Sequence, residues 1–92
     1  MEKIIKEIET DYSKLTSLTA SADDDNNVIN LIGARVGMSP SEAQIKYLIS
    51  LPNVDYVSKS NIRKSNKWFV SACINIAKKY PDTNFKVSTK KV

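Results

Sequence analysis

The stretch Lys67 to Tyr80, Lys-Trp-Phe-Val-Ser-Ala-Cys-Ile-Asn-Ile-Ala-Lys-Lys-Tyr, constrains this chain more than any other. Between Trp68 and Ala77 only Ser71 and Asn75 are polar. A helix with one face in water would show polar residues more often, so the spacing predicts a central helix covered on most of its circumference. Trp68, which opens the apolar run, and Cys73 inside it are expected in the core. The polar remainder is ordered too. Lys64, Lys67, Ser71, Asn75 and Lys78 recur at three- and four-residue steps, which places them in one stripe, cationic at both ends and hydrogen-bonding in the middle. Pro81 stops the helix, and its start falls anywhere between Ser60 and Ser65.

The remaining segments give three more helices. Ile4, Ile5, Ile8, Tyr12, Leu15 and Leu18 keep a helical period, predicting a helix from Glu2 to Leu18. Thr19 to Asn27 has no apolar period and reads as a loop. Its acids Asp23, Asp24 and Asp25 lack the alternating ligands and glycine of a calcium loop, so Asp25 or Asn26 is assigned as the cap of the following helix. That helix is expected from Asn27 to Val36, with Gly33 allowing close approach and Gly37 and Met38 ending it. Ser39-Pro40-Ser41-Glu42 combines an N-cap serine, a proline at the first helical position and a glutamate three residues after the cap. It starts a helix from Pro40 to Leu51 whose buried face is expected to be Ala43, Tyr47, Leu48 and Leu51, with Pro52-Asn53 closing it. Val54 to Val57 alternates like a brief extended piece. Phe85 to Ser88 does the same, as a strand or an arm folding back on the core, and Thr89 to Val92 reads as a frayed basic end.

Ninety-two residues make one domain. The predicted fold is all-α: a compact four-helix domain, residues 1–92, with a central C-terminal helix and a short extended tail. No apolar run approaches the length of a membrane helix and the start lacks a signal-peptide core, so the expected location is cytoplasmic.

Charge is divided unevenly. Residues 1–55 hold nine acids and five bases, whereas residues 56–92 hold nine bases and one acid, for a net charge of +4 overall. An acidic half therefore precedes a basic one, and a basic surface of this kind points to an anionic partner, most often nucleic acid. Lys59, Arg63, Lys64 and Lys67 lead into the central helix, and Lys78 and Lys79 leave it. These six are the candidate phosphate contacts for DNA or RNA, with Ser71 and Asn75 as neutral donors between them and Tyr56 and Trp68 as stacking surfaces if exposed.

Gly33 to Glu42 resembles the turn of a helix-turn-helix unit, with a small residue, a corner glycine and a capped second helix; the resemblance covers Ile29 to Leu48. It would imply a DNA reader, yet Lys46 stands where that unit usually buries an aliphatic residue, and the setting is the acidic half.

Catalysis finds little support. With no histidine the usual neutral-pH base is missing, and the two glycines, Gly33 and Gly37, form no phosphate loop. No catalytic residue, cofactor or metal site is assigned. The expected function is a non-enzymatic nucleic-acid-binding module with little sequence specificity. The alternative is a protein-interaction module, an accessory subunit or small inhibitor docking an acidic surface, and the small Lys/Asn-rich chain suits a phage or mobile-element product.

Overall fold

The segment Val28–Arg35 is a β-strand, and this overturns the all-α expectation. Val28, Leu31 and Ile32 fit a helical period, but the same run fits a strand that carries apolar residues on both faces, as interior parallel strands do. Its β-branched residues tip the balance. The computed structural model describes residues 1–25, 27–35 and 39–91. The elements run α1 (Glu2–Thr16), β1 (Thr19–Ala22), β2 (Val28–Arg35), α2 (Glu42–Ser50), β3 (Val54–Val57), α3 (Lys59–Ile62), α4 (Lys67–Lys79) and β4 (Asn84–Lys91). The result is a mixed α/β fold with a four-stranded sheet ordered β1-β2-β4-β3.

β1 pairs antiparallel with β2 across a tight turn, whereas β4 lies between β2 and β3 and is parallel to both. The expected loop from Thr19 to Asn27 is therefore corrected: Thr19–Ala22 is strand β1, and the acids that follow lie in the hairpin turn. Asp23 Oδ1 accepts from the amides of Asn27 at 2.9 Å and Val28 at 3.2 Å, holding the chain as it enters β2. Asp25 precedes a strand and caps no helix, and Asn26 lies outside the described residues. So do Val36, Gly37 and Met38, on which the expected helix ending was placed. The helix-turn-helix reading falls with its first helix. The expected basic tail is also corrected, because β4 continues through Lys91 as an interior strand.

One core holds the sheet to its helices. On β4, Phe85 and Val87 are fully buried, and they stand beside Ile29 and Leu31 of β2 in register. Ile8 of α1, Ile45 and Leu48 of α2, and Phe69, Val70, Cys73 and Ile76 of α4 close over them. α4 is the covered helix that its composition demands, with seven buried residues. Gly33 faces it: a Cβ there would lie 2.6 Å from the Phe69 ring, so the close approach expected of this glycine is made from a strand.

α2 begins two residues later than expected. The sequence carries two overlapping capping patterns, Ser39 with Glu42 and Ser41 with Gln44, and the second one forms. Gln44 N donates to Ser41 Oγ at 3.2 Å. Of the expected face Leu48 is buried and Leu51 half-buried, but Ala43 and Tyr47 are exposed and Ile45 is buried in their place. α4 starts beyond the expected interval of Ser60 to Ser65: the short α3 occupies part of that stretch, and Asn66 caps α4 by accepting from Trp68 N at 2.8 Å.

Candidate functional site

The residues singled out by charge and spacing fall into three groups. Lys67, Ser71, Asn75 and Lys78 share the side of α4 next to α2. Ser71 Oγ accepts from Gln44 Nε2 at 2.9 Å, and the Lys78 ammonium lies 5.8 Å from the centre of the Tyr47 ring. Lys64, exposed between α3 and α4, precedes this group; Arg63 is turned to α2, with its Nε 3.2 Å from Glu42 Oε1. An exposed pair of this kind contributes about 0–1 kcal/mol, so it orients the guanidinium more than it stabilises the fold.

Lys79 belongs elsewhere. Its ammonium is 3.8 Å from Asp11 of α1 and 5.4 Å from the centre of the Tyr80 ring. Tyr80 in turn donates a hydrogen bond to Glu7. The third position is Lys59, which with Ile49 and Tyr56 lines a trough of about 620 Å³ along the outer edge of β3.

Trp68 is the main departure at this surface. It was expected in the core and is 58% exposed. The helical wheel explains why: Trp68 stands three and seven residues before Ser71 and Asn75, on the open stripe, while Phe69, Val70 and Cys73 take the buried side. The Lys67 ammonium sits 5.1 Å from its ring centre. Cys73, by contrast, is fully buried as expected, and burial pushes its thiol pKa well above the ordinary value, which leaves it unreactive near neutral pH.

A second surface was missed by sequence reasoning because it requires the sheet. Alternation along β2 and β4 turns Val28, Asn30, Ile32 and Ala34, and Asn84, Lys86, Ser88 and Lys90, away from the helices. Register then makes one continuous rung across all four strands: Ser21 beside Asn30, Asn30 beside Lys86, and Lys86 beside Tyr56. Tyr56 is 54% exposed at the end of the rung. With Asn30, Lys86 and Ser88 it lines a shallow hollow of about 390 Å³. The available signals were the polar alternation of Lys86, Ser88 and Lys90 and the aromatic at 56; what joins them is strand order.

Among the described residues no three His, Cys, Asp or Glu side chains gather as metal ligands, and no helix is long and apolar enough to cross a membrane. No protein-family model, curated protein or solved structure matches the chain.

Proposed function

We propose that this protein is a non-enzymatic, cytoplasmic nucleic-acid-binding module with little sequence preference, engaging its ligand through the basic side of α4. The observation that carries the reading is Trp68: an aromatic ring 58% exposed, with the Lys67 ammonium over it, on the same stripe as Ser71 and Asn75. Lys64 and Lys78 supply phosphate contacts on either side, the hydroxyl and amide between them supply neutral donors, and the open part of the indole offers a stacking surface. Lys59, Arg63 and Lys79 lie apart from this stripe and act at most as outlying charge.

Trp68 is the sole tryptophan, so its emission reports directly on the surface. Titration with a labelled oligonucleotide at about 50 and 200 mM salt should show quenching, with affinity falling steeply as salt rises. The K64E/K67E/K78E variant should lose binding. Absence of binding at the lower salt removes the ligand class, and binding unaffected by the triple substitution removes this surface. A second reading, docking onto an acidic protein surface, draws on the exposed Tyr47 and Ile49 of α2, since aromatic anchors beside cations are common in protein interfaces. It predicts a partner whose capture is lost on Y47A and whose binding site is acidic.

A further inference from the structure

β2, β4 and β3 run parallel, and parallel strands are ordinarily covered on both faces because crossover helices lie over them. Here α1, α2 and α4 all join one core against Ile29, Leu31, Phe85 and Val87, and no described element covers the opposite face. The chemistry of that bare face narrows what can cover it. Its aliphatic side chains are Val28, buried at the start of β2 beside Asn84, and the half-buried Ile32 and Ala34, all on one strand and too few to seat an apolar layer, and the rest is Thr19, Ser21, Asn30, Asn84, Ser88, Lys86, Lys90 and the Tyr56 ring. A second copy of the chain would bring like ammonium groups together. The nearby carboxylates stand at the rim: Asp55 in the trough outside β3, and in the hairpin turn Asp23, engaged with backbone amides, and the exposed Asp24 and Asp25.

We infer that the open face of the sheet is a platform for single-stranded nucleic acid. The inference rests on the nucleic-acid reading for its ligand class but uses a different surface. Tyr56 stacks on one base, Asn30 and Ser88 hydrogen-bond to base edges or sugar, and Lys86 and Lys90 contact phosphates about 13 Å apart along the strand. Four strands at about 4.8 Å spacing span about 14 Å before side chains are added. That is wider than the ~12 Å major groove, so a duplex cannot take this face into a groove without deformation, whereas an unpaired strand lies across it with its bases free.

The test compares wild type, K86Q/K90Q, Y56A, Y56F and K64E/K67E/K78E, each first shown to keep the wild-type far-ultraviolet spectrum and melting temperature. The probe is a fluorescein-labelled oligothymidine, with an unlabelled duplex of equal length and polyglutamate as competitors. Y56A should weaken binding roughly tenfold and Y56F should restore it, because stacking needs the ring and not the hydroxyl. K86Q/K90Q should lower the slope of log affinity against log salt by about 1.4, the loss of two single-strand phosphate contacts. Wild-type binding by Y56A and K86Q/K90Q, with loss in the α4 variant, overturns the platform and leaves the α4 reading standing. No wild-type binding at low salt overturns both. Equal competition by polyglutamate or by duplex overturns the single-strand assignment in favour of general anion or acidic-protein docking.

Discussion

Asn53 shows how much one side chain can organise. It is buried, and its Nδ2 lies 2.9 Å from Ala77 O, 3.0 Å from Tyr80 O and 3.0 Å from Thr83 O, while its own carbonyl accepts from Phe85 N at 2.8 Å. An amide nitrogen has two hydrogens, so the three carbonyls share them. The side chain closes the C-terminus of α4 and the backbone starts β4. N53A should therefore cost about 1–3 kcal/mol in urea unfolding, from carbonyls left without a donor, and a value near zero would show that water replaces the amide. The sequence marks Asn53 only as part of a helix ending. At this scale composition also misplaced Trp68, because an apolar run suggests burial for all its members whereas the wheel separates residue 68 from residue 69.

Among the elements, α1, α2, β3 and α4 were legible, because each has a period or a cap that can be read locally. α1 ends at Thr16, two residues short of the expected limit, with Ser17 in the left-handed conformation and Leu18 buried beyond it. The alternation of Phe85 to Ser88 marked part of β4 as extended, but β2 was not legible as a strand, nor was the pairing of the two. Their pairing partners are remote, with Val28 beside Asn84, and no local feature specifies that match. A mostly apolar segment such as Val28–Arg35, interrupted only by Asn30 before Arg35 ends it, has the composition of a buried strand and of a buried helix alike, and strand order decides between them. The contact between β2 and α4 gives the decisive check. G33A drives a methyl into the Phe69 ring and should destabilise the protein by about 1–3 kcal/mol, read as a lowered melting temperature, while F69L in the same background should recover part of the loss.

Over the whole molecule, the acidic and basic halves of the sequence interleave. β4 inserts its lysines into a sheet begun by the acidic half, Arg63 meets Glu42, and Lys79 meets Asp11. The candidate surfaces were legible to the extent that charge and helical spacing report one helix face; the sheet face needed β4 in its central position. Tyr80 and Glu7 tie the end of α4 to α1, and the hydrogen bond to Glu7, followed by burial, raises the Tyr80 pKa. Lys79 is raised too, first by the charge of Tyr80. For both groups the fold favours the protonated form. Their stabilisation is complete below the unfolded values near pH 10 and is lost as pH rises through the folded ones. Melting temperature should fall as pH rises above about 10 in wild type and change less steeply in Y80F; equal slopes would refute the coupling.

The placement of β4 also bears on how the molecule is made. During synthesis β2 and β3 emerge before the strand that separates them, so each waits with an open edge beside a gap the width of one strand. Until that gap closes, the nascent chain offers two sticky borders to any extended peptide nearby, and a chaperone or a stray β-segment would compete for the same vacancy.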